Sequence, residues 1–490
     1  MKKKILFTLT TLMVLYFILL IPTENIEQPK IANKKQFVWN RDSLWFSLES
    51  FYANAKKKDC SQLNAAISKS FLFINKFLDS VVQSSSQPTD PKYLKIENTL
   101  FYTTALVGAC KEHTKDFINL FSRIRSAVKF QSRKWDLNDL ETRQTLYKLI
   151  YGGRAAVEEL LLQNDKNDIS STINGDDESS VTPSSEILGV KIHSGDILIS
   201  RGGAPTSALI ARGNDYPGNF SHVALVYIDE KTKAFSIIES HIERGVVVST
   251  VDDYLTDKKL RVMVLRLRAD HPKMIEDKML PHKAAKLSYE SALARHIPYD
   301  FDMNYHDNSK LFCSEVASSA YRQFGVNLWM GLSSISSNGI ANWLAGFGVK
   351  YFETQEPSDL EYDPQLTVVT EWRNTESLFK DHLDNAIIEA LLEQAEAGKE
   401  LGYDWYMLPL ARILKFYSSV LNLFGEEGSI PEGMGAESAL RHKKLVALHE
   451  IIIVQVELKS KIFKERNGYA APYWRLVEFA RQTIEEKKLF

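Results

Sequence analysis

The sequence predicts an α+β protein in which an antiparallel-sheet domain, residues 187–335, stands between two helical regions. Three observations predict it. Apolar residues recur at helical spacing through residues 40–162. Short β-rich runs joined by polar turns follow between residues 196 and 267. Helical patterning returns from residue 360 to the end. A chain of 490 residues exceeds one ordinary core and suggests roughly two or three domains. The net charge of −2 offers no electrostatic footprint for nucleic acid, which is not expected as a partner.

At the N-terminus, Lys2, Lys3 and Lys4 precede an uncharged, mostly apolar run from Ile5 to Ile21. Residues 1–22 therefore read as a signal anchor or a signal peptide. Pro22-Thr23-Glu24-Asn25 offers no small-x-small cleavage site, and no Cys follows for lipid attachment, so an uncleaved anchor is preferred. The basic end stays in the cytoplasm. The expected location is the cell envelope, anchored to the inner membrane and facing the periplasm or exterior.

Residues 40–162 read as a helical domain. Leu44, Leu48, Phe51 and Tyr52 form one stripe, and Phe73, Ile74, Phe77 and Leu78 another. Leu146, Leu149, Ile150, Val157, Leu160 and Leu161 mark a later helix. Core packing accounts for these stripes. Cys60 and Cys110 fall here, and either pair in an oxidising compartment or remain buried thiols. Residues 163–186 are rich in Ser, Thr, Asp and Gly and read as a linker.

The sheet follows. Asp196-Ile197-Leu198-Ile199 is a first run, and Ser221 to Tyr227 a second, closed by the turn Lys231-Thr232-Lys233. Ala234–Ile242, Gly245–Val248 and Leu260–Leu267 complete it. A helix is expected from His282 to Arg295, stopping before Ile297-Pro298. Another begins near Cys313. In the mostly helical region 360–490, Asn374 is placed to cap a helix through about Ala397. Later helices span Tyr403–Phe424, Ala439–Lys464 and Pro472–Lys487.

Chemistry concentrates in two places: Ser221-His222 at the start of a strand, and Cys313-Ser314-Glu315 at the start of a helix. A helix N-terminus favours a thiolate and can hold an oxyanion. A strand-borne imidazole facing Cys313 would serve as base and then acid. Glu239 ends an apolar strand, where a carboxylate is costly unless paired. Glu239 and His241 share a strand face, so either can orient His222. Glu239 is preferred, because its charge would stabilise an imidazolium; His241 is the alternative. Taken singly, Cys313 reads more readily as a buried structural thiol and His222 as a hydrogen-bonded sheet-end histidine.

The pattern around them changes that balance. Gly195-Asp196-Ile197-Leu198, Ser221 to Val226, Ile238-Glu239 with Gly245-Val246, Pro298-Tyr299-Asp300 and Phe312-Cys313-Ser314-Glu315 stand in this order. The segment resembles the circularly permuted branch of the NlpC/P60 papain-like superfamily, which holds the YiiX and YaeF proteins and the lecithin:retinol acyltransferase relatives. The resemblance implies a permuted papain-like fold with Cys313 as nucleophile, His222 as base and Glu239 as third polar group. It places Tyr299 by the cleft, with Ser221 as another cleft residue. His296 stands where relatives usually carry Gly, which bears on the local turn. No cofactor is implied.

Other motifs carry less. Arg201-Gly202-Gly203-Ala204-Pro205-Thr206-Ser207 lacks the Gly-Lys-Ser/Thr ending of a phosphate loop and reads as a flexible loop at the cleft mouth. His306-Asp307 has no partner ligand at metal-site spacing, and no metal is expected. Trp405, Tyr406, Tyr473 and Trp474 read as core or interface. The expected function is a cysteine hydrolase cleaving a peptidoglycan-type or other peptide amide. The alternatives are a lipid acyl hydrolase or acyltransferase on membrane esters, and a non-catalytic envelope scaffold. The helical flanks are expected to dock on the sheet and shape substrate access.

Overall fold

A computed structural model describes residues 2–23, 28–31, 34, 36–38, 41–83, 85–164, 169–424 and 426–490. Residues 24 and 25 after the apolar run, and 165–168 of the expected linker, lie outside the described residues. The N-terminal third is helical: α1 (Lys2–Leu19), α2 (Arg41–Ala55), α3 (Cys60–Gln83), α4 (Pro91–Ala109), α5 (Thr114–Ser132), α6 (Leu140–Leu146) and α7 (Gly152–Gln163). Asp90 caps α4 through the Lys92 amide at 2.9 Å, with Pro91 at the first turn, where its missing N–H costs nothing. Cys60 and Cys110 are joined as a disulfide between α3 and the end of α4.

The strands are β1 (Thr172–Asn174), β2 (Ser184–Ile187), β3 (Val190–His193), β4 (Ile197–Gly202), β5 (His222–Ile228), β6 (Phe235–His241), β7 (Gly245–Ser249), β8 (Lys259–Leu267), β9 (Ser333–Ser334), β10 (Glu353–Thr354) and β11 (Leu366–Trp372). One 7-stranded sheet runs β1-β11-β8-β4-β5-β6-β7, with every neighbour antiparallel. Two of its strands depart from the sequence reading. β1 lies inside the expected linker and pairs with β11 at the sheet edge. β11 comes from beyond residue 335, the expected end of the domain, and pairs with β8.

Strand alternation sorts the residues onto two faces. Val223, Leu225, Ile238 and Met263 join the main core with Val316, Ala317 and Ala320 of α12 (Cys313–Arg322) and with α11 (Leu280–Ala294). Ala224, Val226, Ile237 and Val264 form a smaller core with Tyr254 on the other face. Tyr254 belongs to α9 (Val251–Thr256), whereas α8 (Pro205–Arg212) and α10 (Pro272–Glu276) flank the sheet. Beyond it come α13 (Asn338–Gly346), α14 (Asp359–Tyr362), α15 (Thr375–Glu396), α16 (Leu408–Leu423), α17 (Ala436–Asn467) and α18 (Tyr473–Lys487). Asn374 caps α15, accepting from the Ser377 amide at 2.8 Å.

A buried ionic network ties the helices to the sheet. Glu158 on α7 meets Arg154 at 3.0 Å, Arg261 of β8 at 2.5 Å, Arg373 at 3.4 Å and His382 of α15 at 3.2 Å. Arg154 also forks onto Glu361 at 2.7 and 2.8 Å. Arg125 of α5 pairs with Glu371 of β11.

The aromatic reading needs correction in part. Trp474 stacks on Trp45 of α2 at 5.3 Å and is an interface residue, but Trp405 and Tyr406 are exposed. No helix among the described residues is long and apolar enough to cross a membrane; α1 touches α16.

Candidate active site

The register of β5 and β6 sets the first part of the site. Ala224 pairs with Glu239, which puts Glu239 diagonally across from His222 on the same face. His222 Nε2 lies 2.8 Å from Glu239 Oε2. His241 Nε2 lies 3.1 Å from the other oxygen, Oε1. The Ser249 hydroxyl donates to Oε1 at 2.6 Å. Both candidate orienting groups are therefore in one cluster. Glu239 touches His222 directly, and His241 stands on its far side with ring centroids 5.8 Å apart.

Cys313 opens α12, directly after the N-cap residue Phe312. Glu315 sits at the third position and accepts from the Phe312 amide at 3.0 Å, closing the first turn. The Tyr321 hydroxyl donates to the Gly195 carbonyl at 2.6 Å, fixing α12 against the start of β4. Asp196 of the same motif is structural: Arg266 forks onto it at 2.8 Å through both nitrogens. The Cys313 thiol donates to the Ser221 carbonyl at 3.6 Å, one residue before His222. Cys313, Ser221, His222, Glu239, His241 and Tyr299 all line one cleft of about 1450 Å³.

Electrostatics make the resting site neutral at its reacting groups. Burial pushes the Cys313 thiol up to about 12, against main-chain hydrogen bonding at Val223 and Ser314 and with the Glu356 carboxylate adding to the rise. Burial also lowers His222, and the Glu239 hydrogen bond opposes that only in part. Burial would raise Glu239, but hydrogen bonds from His222 and His241 and their charges hold it well below the carboxylate range. The thiol and the imidazole are therefore both neutral at rest, and the imidazole is gripped by an ionised carboxylate.

Tyr299 is placed by a turn. Gly245 has φ +70°, and a Cβ there would stand 2.1 Å from the Ile297 carbonyl, which accepts from the Val246 amide at 2.9 Å. This close approach brings Pro298-Tyr299 to the cleft. His296 needs no left-handed backbone and bonds Glu432 at 2.9 Å, so its replacement of the usual Gly leaves the turn intact. Ser221 Oγ is buried with no hydrogen-bond partner among the described residues.

The Arg201–Ser207 segment borders the cleft but is not a flexible loop. β4 runs through Gly202, α8 starts at Pro205, and Arg201 is buried against Asp381 at 3.2 Å. His306 is exposed and joins no cluster of metal-ligating groups among the described residues. His222, Glu239 and His241 do have donor atoms close enough to hold an ion. Their mutual contacts at 2.8 and 3.1 Å account for the arrangement without one.

Sequence reasoning missed Ser249, Glu356 and the cleft wall contributed by α16. Ser249 was within reach: Glu239 pairs with Val247, so Ser249 shares its face once the hairpin register is counted. Glu356, raised to about 8 by burial and then by Asp359, carries no local signal.

Residues 191–370 match the sequence profile of the permuted papain-like amidase enzymes, the YaeF/YiiX, C92 family. The match extends past residue 335 into β11, as the sheet does. No curated protein matches the chain. A solved structure, the crystal structure of metalloprotein YiiX from Escherichia coli O157:H7, aligns over 36% of this chain and 95% of its own, with 19% identity and a TM-score of 0.28. That overlap is too loose to bear on the fold or the site.

Proposed function

Because residues 191–370 carry a permuted papain-like amidase domain, we propose that this protein is a cysteine hydrolase that opens an amide through an acyl-Cys313 intermediate. One observation carries the reading: the Cys313 thiol touches the residue next to His222, whose Nε2 is held by Glu239, and all three face one cleft. With Nε2 engaged, Nδ1 is the nitrogen left to take the thiol proton. As Sγ bonds the substrate carbonyl carbon, the proton moves to Nδ1 and Glu239 stabilises the imidazolium. Main-chain amides at the start of α12 face the developing oxyanion. The imidazolium then protonates the departing amine as the C–N bond breaks. Water, deprotonated by His222, releases the acid and restores the thiol. The N-terminal segment supports action in the cell envelope, on peptidoglycan-type or other peptide substrates.

A lipid ester or acyl-transfer substrate is the second reading. Met407, Leu410, Leu414, Ile430 and Met434 give the cleft an apolar wall suited to an acyl chain. A thiol-directed acylating probe should label the wild type and spare Cys313→Ala. Equal labelling of both proteins would sink the hydrolase reading. Peptide release from cell-wall sacculi against fatty-acid release from phospholipid vesicles divides the two substrate classes.

A further inference from the structure

α16 keeps little of its apolar surface from solvent. Ile413 is 57% exposed, Phe416 73% and Leu423 83%, with Trp405 at 63% just before the helix. Tyr417 and Phe424 are exposed as well. Folded soluble proteins seldom leave so much contiguous apolar surface open. α1 extends the patch. The Tyr16 hydroxyl donates to the Tyr406 carbonyl at 3.1 Å, and Arg412 donates to the carbonyls of Leu19 and Ile21 at 3.0 and 2.6 Å. α1 exposes Phe7, Met13, Val14, Leu15, Phe17 and Ile18.

Charge and length identify the occupant. The charged residues of α1 and α16 are Lys2, Lys3, Lys4, Arg412 and Lys415, with no acidic residue in either helix. Arg412 turns to Glu437 at 3.5 Å and Lys415 to the Pro431 and Glu432 carbonyls, so the remaining basic residues are the Lys2–Lys4 run at the start of α1. An anionic lipid surface complements that set. α16, at 16 residues, spans about 24 Å, short of the roughly 30 Å hydrocarbon core. A short helix, basic where charged, preceded by Trp405 and Tyr406 and carrying Tyr417, suits the plane of the interface.

We propose that the outer face of α16, together with α1, seats the protein on an anionic lipid bilayer in the plane of the headgroups. Met407, Leu410, Ala411 and Leu414 line the cleft, so docking would open the cleft mouth beside the lipid surface. The hydrolase chemistry stands without this surface; the surface decides where that chemistry meets its substrate.

The test uses the full chain and vesicles of phosphatidylcholine with phosphatidylglycerol. The double variant Phe416→Glu/Leu423→Glu alters exposed residues outside the cleft lining. It should lose about tenfold or more in vesicle co-sedimentation while Cys313 still takes the acylating probe. Brominated lipid should quench wild-type fluorescence more than that of Trp405→Phe. Unchanged co-sedimentation together with equal quenching would overturn the proposal. So would a wild-type dimer that the double variant splits without any vesicle binding, since the face would then meet a second copy. If the double variant fails to fold, Phe416→Ser alone should still weaken co-sedimentation, and no change would count against docking. Retained labelling with lost lipid binding, or the reverse, separates this idea from the hydrolase reading.

Discussion

Two buried carboxylates, Glu158 and Glu239, have opposite surroundings. Glu158 is held by Arg154, Arg261 and Arg373, with His382 beside them. Burial would raise it, but those arginines, Arg261 foremost, hold it well below the carboxylate range. Glu239 is held by His222 and His241. Arginine does not give up its proton, so the three Arg–Glu158 ion pairs persist across the working range. Histidine does, so the Glu239 cluster can move a proton without moving a strand. The same residue type serves as a fastener in one place and, in the proposed hydrolase, as part of a proton circuit in the other.

The comparison can be broken at either end. The largest expected effect is at the base. His222→Ala should cut hydrolysis of a p-nitrophenyl acyl ester by about 10³–10⁴-fold with the unfolding midpoint little changed. Such an ester suits a thiol nucleophile whether the natural substrate is amide or ester. At the other carboxylate, Glu158→Ala strands buried guanidinium groups and should cost about 3–5 kcal/mol in urea unfolding, with the thiol still reactive wherever the protein stays folded. Its folded-state pKa is depressed, so the stability it confers is present above the ordinary value of 4.5 and drains away as pH falls through the folded value. Glu239→Gln should cost about 10²-fold in ester hydrolysis with little loss of stability.

A smaller change sharpens the contrast. His222 must be neutral to act as base, and burial lowers it from 6.5. The acid limb of kcat/KM should therefore lie below pH 6.5 in the wild type. Glu239 opposes that lowering, so Glu239→Gln should move the limb to still lower pH. A limb that stays put or rises would remove Glu239 from its assigned place.

What was legible followed from local chemistry. His222 and Cys313 stand at the starts of a strand and a helix, and Glu239 is a carboxylate in an apolar strand, so each stood out from its neighbours. The strands from β4 to β8 were legible because consecutive segments pair through short turns. β11 was not, because Leu366 pairs with Leu267 across a long intervening segment that no local pattern announces. Glu158 hid within the stripe Val157, Leu160 and Leu161, where a charged residue reads as the solvated side of a helix; its burial exists only once β8 and α15 supply Arg261 and His382. Trp405 and Tyr406 misled for a related reason. Helical patterning tells that an apolar face exists, not whether protein or another medium covers it.

The placement of β11 between β1 and β8 has a consequence for biosynthesis. Until Leu366–Trp372 has been synthesised, β8 is an open edge with unpaired amides and carbonyls, although both halves of the reactive pair already exist in the nascent chain. Completion of the sheet must wait for residues translated well after Cys313, and a polypeptide released before then would carry its chemistry on a template for aggregation.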